Sequence, residues 1–283
     1  MSTQTGSVAE AATASAEVRP GKKARPRWLW PAVALGALLL LATVRVVTGA
    51  NDIDSSGALS ASIGLAMPIV LAGLGGLWSE RAGVVNIGLE GMMILGTWGA
   101  AFFGYHYGPA AGILGAVFMG VVAGAIHALA TVVFGVDHIV SGVAINLLGA
   151  GAGSFLAVRT FTGLPSGGPT QSPTLQQLPF LSVPGIGDPL LAVEKSHVWL
   201  LADLAGIARA LTTNVNALTI LAVGLLVGSW WVLWRTAFGL RLRACGEAPH
   251  AAETLGVNVL RLKYLAVLIS GAFAGLSGGF LVL

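Results

Sequence analysis

Apolar residues occur along this chain in long runs, and short polar stretches separate the runs. Seven runs contain 20 or more residues, and they cover 28–47, 57–78, 84–103, 109–134, 139–158, 215–234 and 264–283. A helix of about 20 apolar residues is long enough to cross the hydrocarbon core of a bilayer, which is about 30 Å thick. The pattern therefore predicts an all-α polytopic membrane protein, folded as a helical bundle of about seven transmembrane helices.

The composition supports this fold class. Hydrophobic residues make up 55% of the chain and charged residues only 10%, whereas about 25% of the residues in soluble domains are charged. Glycine accounts for 40 of the 283 residues, and small residues let membrane helices approach each other closely. Gly120 with Gly124, and Gly149 with Gly153, have the spacing that such contacts use. The single Cys245 excludes an internal disulfide, and we expect no metal site.

The two ends of the chain differ from its middle. Residues 1–27 lack apolar periodicity and end in a basic cluster, so we expect a disordered basic tail in the cytosol. The run at 28–47 is longer than the apolar region of a secretory signal, which has about 7 to 15 residues. It favours a first helix whose N-terminus is cytosolic. Because the chain stops at Leu283 inside apolar sequence, we expect a C-terminally truncated chain that lacks further helices.

The segment 160–214 is the longest interruption between two apolar runs, and we expect it to lie outside the membrane on the exterior side. It is dense in Pro and Gly as far as Pro189. Its apolar part, 198–211, has only 14 residues and contains Asp203 and Arg209, which favours an interfacial or re-entrant helix over a span. If this part spanned the membrane, the next loop would face outside.

The stretch 235–263 predicts a cytosolic loop. Its basic residues are Arg235, Arg241, Arg243, Arg261 and Lys263. With this topology 11 of the 15 Lys and Arg residues lie in the cytosol, as the positive-inside rule requires. Within the loop, Pro249 is suited to the start of a helix and Gly256 to its end, so the pattern predicts a short helix over 249–257.

Glu90 is the seventh residue of its apolar run, about 9 Å along a helix that begins with the run. A carboxylate at this depth is costly and usually functional. Asn86 would lie on the same face, four residues earlier. Gly83, Gly88 and Gly91 would let the segment unwind, as broken helices do in transport sites. We expect a substrate path or gate at Asn86 and Glu90; the alternative is that Glu90 pairs with a neighbouring helix or stays protonated in the helix packing.

Asn146 is a second polar group at membrane depth, eight residues into the run at 139–158. It belongs to the predicted substrate path if its amide binds a polar solute, and an interhelical hydrogen bond is the equal alternative. His127 is a lone histidine among small apolar residues, which favours a role in packing. Met92 and Met93 are expected in the core.

The loop helix carries a pattern of its own. His250-Ala251-Ala252 followed by Gly256 has the Ala-Ala-x-x-x-Gly spacing of the coupling helix, and it resembles the E-A-A loop of bacterial ATP-binding-cassette importers. A short helix with a small alanine face can enter a groove on a partner, and nearby charges orient it; an ordinary surface helix is the alternative. The candidate ATPase-coupling residues are Glu247, His250, Ala251, Ala252, Glu253 and Gly256.

Three stretches together carry a family resemblance. They are residues 80–91, E-R-A-G-V-V-N-I-G-L-E-G, followed by Met92-Met93; residues 246–256; and residues 270–279, S-G-A-F-A-G-L-S-G-G. They closely resemble the permease family of importers for simple sugars, nucleosides and branched-chain amino acids, over about 57–283. The form of the first stretch is most similar to nucleoside-type permeases that work with basic-membrane-protein lipoproteins. The resemblance implies a permease domain over 28–283, in a bacterial cell membrane, that moves a nucleoside or simple sugar.

The resemblance also implies partners. These are a separate cytosolic ATPase, a second permease that is either related to this chain or a copy of it, and an external substrate-binding lipoprotein that would face 160–214. The chain has no G-x-x-x-x-G-K-[ST] sequence, so the partner would bind and hydrolyse ATP, and this chain would need no cofactor and no catalytic residue. An ion-coupled secondary transporter with Glu90 as its coupling site is the alternative function.

Overall fold

The computed structural model describes residues 28–49, 55–196, 198 and 200–283. The tail predicted at 1–27 lies outside the described residues. By its contacts the chain divides into residues 1–50 and residues 51–283. In the first unit the described element is the helix α1 (Leu29–Thr48), whose Thr43 hydroxyl donates to the Leu39 carbonyl 2.7 Å away within the same helix.

The second unit contains the other described elements. They are α2 (Ser56–Arg81), α3 (Leu89–Tyr107), α4 (Pro109–Ala128) with a π-helical turn (Leu129–Val133), α5 (His138–Phe161), β1 (Phe180–Leu181), α6 (Gly187–Lys195), α7 (Leu201–Thr212), β2 (Val215–Asn216), α8 (Ala217–Arg235), α9 (Ala237–Glu247), α10 (Pro249–Thr254) and α11 (Val259–Phe280). The two short strands pair antiparallel, with Phe180 opposite Asn216.

The long helices agree with the predicted all-α polytopic fold. Five helices of the described residues are long and apolar enough to cross a membrane: α2, α4 with its π-helical turn, α5, α8 and α11. With α1 and α3, which have 20 and 19 residues, the described part of the chain contains seven helices of this length. α3 is not among the five, because Glu90 at one end and Tyr105-His106-Tyr107 at the other lower its hydropathy.

Helix α11 lies at the centre of this unit and packs against α2, α3 and α4. Glycine makes these contacts close, because a Cβ at Gly120 would collide with the backbone of Gly271 and Gly275. At the second predicted pair, a Cβ at Gly149 would lie 2.5 Å from the Cα of Gly91 on α3. Backbone-to-backbone packing is how apolar helices gain contacts in lipid, where burial alone provides no driving force.

The segments that connect the long helices lie on two opposite faces of the unit. The basic face consists of residues 81–88, 134–138 and 235–258, and the segment face carries residues 162–216. Six described Lys and Arg residues lie on or next to the basic face: Arg81, Arg235, Arg241, Arg243, Arg261 and Lys263. On the segment face the described basic residues are Arg159, Lys195 and Arg209.

The segment 160–214 is more ordered than its Pro and Gly content predicts. α7 overlaps the predicted short helix at 198–211, and its 12 residues span about 18 Å, too little for a bilayer core of about 30 Å. α6 and α7 pack against each other, and α7 packs on α2. The segment therefore returns to the side of the molecule from which it left.

Two predicted boundaries are wrong. α11 begins at Val259 instead of 264, because the Asn258 side chain accepts a hydrogen bond from the Arg261 N–H at 2.9 Å and so caps the helix. Arg261 and Lys263 therefore belong to its first turns, where long basic side chains can extend to water. Residues 84–88, predicted as the start of a span, are not helical, and α3 begins at Leu89.

Candidate translocation and docking sites

The hook, residues 82–88, connects α2 to α3 and leaves the helical conformation at Gly83. The Gly83 N–H donates to the Glu80 carbonyl at 2.9 Å, and the Val84 N–H donates to the Ser79 carbonyl at 3.0 Å. This pairing is a Schellman motif, which requires a left-handed residue, and Gly83 has φ of +82°. The prediction that glycine breaks the helix here agrees with this geometry.

Asn86 points into the unit from the hook and is only 4% exposed. Its side-chain amide donates to the Ser270 hydroxyl of α11 at 2.8 Å, and its carbonyl accepts from the Gly88 N–H at 3.0 Å. A second contact of the amide reaches the sulfur of Met92 at 3.5 Å. Asn86 therefore holds the hook to α11, and in this conformation it does not face open space.

Asn146 of α5 fastens the other side of the hook. Its carbonyl accepts from the Gly91 N–H at 2.8 Å, and its amide donates to the Ile87 carbonyl at 3.0 Å. Gly91 is the third residue of α3, so its N–H has no partner within the helix, and the preceding Gly88 has no side chain to cap it. Of the two predicted roles for Asn146, the structure shows the interhelical hydrogen bonds.

Glu90 occupies a different position from the predicted one. It is the second residue of α3 and is exposed, because the hook replaces the helical turns assumed before it. It does not share a helical face with Asn86, which belongs to the hook. A carboxylate in the first turn of a helix is favourable, since the helix dipole is positive there. Asn86 and Glu90 thus lie in the hook and the first turn of α3, and Asn146 binds both of these segments, at Ile87 and at Gly91.

The loop between α8 and α11 contains two short helices, where the sequence predicted one. α10 ends at Thr254, and the Val257 N–H donates to the Ala252 carbonyl at 3.1 Å while the Gly256 N–H donates to the Glu253 carbonyl at 2.9 Å. This is a second Schellman motif, with Gly256 at φ of +79°. The predicted stop at Gly256 is therefore a left-handed cap.

The candidate coupling residues divide into two groups. Five of them are exposed on the basic face: Glu247, His250, Ala251, Glu253 and Gly256. Ala252 is 3% exposed and packs in one apolar cluster with Cys245 and Val259. Of the two alanines in the predicted contact face, one therefore points into the chain and the other, Ala251, points outward. Ala252 anchors α10 to its own chain. Leu255, which is not among the predicted coupling residues, is 83% exposed.

The hook and this loop are in direct contact. A Cβ on Gly83 would lie 3.0 Å from the Gly246 Cα of α9. The guanidinium groups of Arg81 and Arg243 lie over the ring of Trp234, at 5.4 Å and 5.8 Å from its centroid. The end of α2, the end of α8 and the helix α9 thus meet at one point of the basic face.

On the segment face, a charged cluster joins α6 and α7 to the start of α2. Glu194 accepts hydrogen bonds from the Ser56 N–H at 2.8 Å and from Arg209 at 3.2 Å, and Arg209 also donates to the Ser56 hydroxyl at 2.7 Å. Burial alone would raise the pKa of Glu194, but the hydrogen bonds from Ser56 and Arg209 outweigh it and lower the pKa below its ordinary value.

A cavity of about 540 Å³ also opens between α3, α5 and residues 169–172. Trp98 and Phe161 give it aromatic walls, and Thr97, Ser154 and Gln171 supply polar groups. This volume is within the range of small-molecule sites, about 300–1,000 Å³. Neither this cavity nor the Glu194 cluster is predicted from the sequence, because residues far apart in the chain form both of them.

His127 matches its expected role in packing. It is fully buried, and its Nδ1 lies 2.8 Å from the Ser141 hydroxyl of α5. Among the described residues, no group of three or more His, Cys, Asp and Glu side chains could hold a metal ion.

Comparisons with known proteins found a family model and several relatives that match this chain. The family model for "Branched-chain amino acid transport system / permease component" matches residues 58–283. The guanosine ABC transporter permease protein NupQ of Bacillus subtilis is 39% identical over 228 residues, which are 77% of this chain and 65% of that protein. The nucleoside ABC transporter permease protein NupC of Lactococcus lactis is 34% identical over 218 residues, 75% of this chain and 62% of that protein.

A sugar transporter is also among the relatives. The glucose ABC transporter permease protein TsgB13 of Haloferax volcanii is 26% identical over 279 residues, 89% of this chain and 68% of that protein. The chain thus spans slightly less than two thirds of the length of the two nucleoside relatives. No solved structure matches it.

Proposed function

This chain belongs to the family of branched-chain amino acid transport system permease components, and we propose that it is the membrane-spanning permease subunit of an ATP-binding-cassette importer for a nucleoside or simple sugar. The observation that carries the proposal is its 39% identity, over 77% of its length, to a guanosine permease. The chain itself would catalyse no reaction and hold no cofactor.

The exposed side of α10 is the proposed contact with a separate ATPase, which would bind and hydrolyse ATP. His250, Ala251, Glu253 and Leu255 project from the basic face, and the excess of cations on that face favours the cytosol. We also propose a cytosolic N-terminus. The segment face would then lie outside the cell, where a substrate-binding lipoprotein would meet it. A second permease subunit, related or identical, would complete the importer.

The hook is the proposed moving part of the substrate path. Asn86 and Asn146 fix it to α11 and α5 through hydrogen bonds, and the contact between Gly83 and Gly246 joins it to the loop that carries α10. Movement of α10 by the ATPase would therefore reach the hook through a backbone contact. Glu90, exposed in the first turn of α3, would face the path.

The cavity beside Trp98 and Phe161 is the proposed entry site for the solute. A nucleobase or a sugar ring has flat or apolar faces that pack on aromatic side chains, and its hydroxyls pair with hydroxyl and amide groups. Replacing Gln171 with Ala should raise the KM for uptake several-fold and leave the ATPase rate unchanged. Gln177→Ala is the matched control, because Gln177 is exposed in the same segment and does not line this cavity.

The docking proposal is tested by co-purification of the ATPase with tagged permease variants. Ala251→Asp should abolish co-purification and uptake while the protein still inserts, because it puts a charge on the proposed contact. Ala192→Asp is the control, since Ala192 is an equally small exposed residue on α6 of the segment face. Retention of the ATPase by Ala251→Asp would refute the docking assignment.

An ion-coupled carrier is not favoured by the structure. Glu80 and Glu90 are the only acidic residues in the long helices of the described chain, and both lie within three residues of a helix end at the basic face. A proton relay needs further titratable groups deeper in the membrane. Uptake that persists after the ion gradient collapses, and stops when the ATPase is inactivated, would distinguish the two functions.

A further inference from the structure

An apolar groove lies where the π-helical turn passes the first turns of α11. It has a volume of about 500 Å³, and the residues that line it include Val132, Val133, Leu260, Arg261, Leu265 and Leu268. The π-helical turn widens the backbone at this point. Apolar side chains in the groove are open to the surroundings: Leu260 is 62% exposed, Val133 is 58% exposed and Leu265 is 41% exposed.

The groove runs from the membrane boundary towards the bilayer centre. Arg261 is the third residue of α11 and marks the boundary, because α11 begins on the basic face. Leu268, seven residues later, lies about 10 Å deeper. A chain of CH₂ groups is the natural occupant of an exposed apolar channel of this length inside a bilayer.

Positive charge is concentrated at the boundary end of the groove. Arg261 also lines a second cavity, of about 430 Å³, together with Arg241 and Phe238. In the described part of the chain, no carboxylate lies within ion-pair distance of Arg241 or Arg261. The N-terminus of α11 adds the positive end of its dipole. The boundary end therefore favours an anion.

We propose that this groove binds an anionic phospholipid, with the phosphate of its headgroup between Arg241 and Arg261 and one acyl chain along Leu260, Leu265 and Leu268. A partner protein could supply a carboxylate or an apolar surface, but the lipid supplies both features in the order in which the groove presents them. Basic pockets beside membrane helices on the cytosolic side are suited to such headgroups. The proposal depends only on α11 spanning the membrane, and it is independent of the transported solute.

The test is a titration of the purified chain, in detergent, with palmitoyl-oleoyl phosphatidylglycerol, followed by native mass spectrometry. We expect one tightly bound phosphatidylglycerol, weaker binding of phosphatidylcholine with the same chains, and no binding of glycerol 3-phosphate. Arg261→Gln should weaken the phosphatidylglycerol complex about fivefold, the effect of one basic residue near an anionic lipid. Leu268→Trp, which fills the groove and keeps the charge, should weaken both lipids.

Lys263→Gln is the matched control, because it removes the same charge from the same turn at a position that does not line the groove. Equal loss of phosphatidylglycerol in Arg261→Gln and Lys263→Gln would overturn the proposal, as would equal binding of the two lipids. Binding of glycerol 3-phosphate alone would indicate a soluble-anion site. A photo-crosslinker at position 265 that captures protein instead of lipid would show that a second permease subunit or the ATPase occupies the groove, and it would also overturn the proposal.

Discussion

Gly83 and Gly246 pack with their backbones in contact: a Cβ on Gly83 would lie 3.0 Å from the Gly246 Cα, and a Cβ on Gly246 would lie 2.5 Å from the Arg81 carbonyl oxygen. The first glycine is the second residue of the hook, and the second glycine lies in the last turn of α9, three residues before α10 begins. The contact therefore directly connects the loop that carries the proposed ATPase contact to the hook, which holds α3.

Gly246→Ala tests this connection. The added methyl group would lie 2.5–3.1 Å from backbone atoms of Arg81 and Gly83, so α9 must move away from the hook, at a cost of about 1–3 kcal/mol for an overpacked site. We expect uptake to fall at least tenfold while ATP hydrolysis by the assembled transporter continues. Reconstituted vesicles give both rates, and Gly73→Ala is the control because a Cβ at Gly73 meets nothing within 4 Å. Normal uptake by Gly246→Ala would show that the contact does not transmit movement.

Gly256 is expected to matter through its conformation and not through its size. Its φ is +79°, and a Cβ there would meet nothing within 4 Å. Gly256→Val should therefore disrupt the cap of α10 and lower uptake, since a left-handed residue with a Cβ costs about 1–2 kcal/mol. Gly256→Asn should retain most activity, because Asn adopts this conformation more readily. The same uptake assay compares the two variants; equal loss in both would point to a steric contact with a partner.

Periodicity and composition predict the fold class and the long helices, because the lipid restricts spanning segments to apolar runs. They do not predict the hook, where the apolar run continues through Val84 and Val85 although the backbone is not helical. The glycine at position 83 is the local signal, and whether a glycine is packed in a helix or ends it depends on tertiary contacts such as the one with Gly246.

The sequence indicates which residues form the candidate site, but it does not give the contacts that these residues make. The sequence indicates Asn146 as a polar group at membrane depth and Asn86 as a neighbour of Glu90 on one helical face. Their partners, the Ser270 hydroxyl and the Gly91 N–H, depend on how three helices pack. For the same reason the alanine pair at 251 and 252 predicts where α10 lies in the sequence, but not which side of α10 faces the rest of the chain. Which alanine faces inward is decided by Cys245 and Val259, which lie on neighbouring helices.

Asn146→Ala should destabilise the protein, because it leaves the Gly91 N–H and the Ile87 carbonyl without their partner. The contact of the Gly91 N–H is part-buried, and leaving this group unpaired costs about 1–3 kcal/mol; the contact of the Ile87 carbonyl is exposed, so its loss costs less. Asn146→Asp should not restore stability, since a carboxylate cannot donate to the Ile87 carbonyl. Thermal unfolding in detergent measures the effect. Ser154→Ala on the same helix is the control, because the Ser154 hydroxyl donates to the Ala150 carbonyl one turn earlier in the same helix; a similar loss there would contradict the role of Asn146.

We expect the segment face to lose order at acidic pH, because the ionised Glu194 carboxylate stabilises it. The pKa of its carboxyl is lowered in the folded protein relative to the ordinary value of 4.5. Its stabilising contribution is therefore complete above about pH 4.5 and is lost as the pH falls through the folded-state pKa. Glu194→Gln should lower the stability at neutral pH and reduce the further loss on acidification. Proteolysis of residues 187–212 between pH 7 and pH 3 reports the change, and Asp188→Asn, an exposed acid on the same helix, should behave like the wild type.

The orientation of the two faces can be tested by thiol labelling, but not with Cys245. Cys245 is fully buried, and burial raises the pKa of its thiol above the ordinary value, so it should react slowly on either side of the membrane. We therefore replace it by Ala and add one exposed cysteine, either Ala251→Cys on α10 or Ala192→Cys on α6. An impermeant maleimide applied to intact cells should label the second variant at once and the first only after the membrane is permeabilised. Labelling of Ala251→Cys in intact cells would place α10 outside, where no cytosolic ATPase could reach it, and the importer mechanism proposed for this chain would fail.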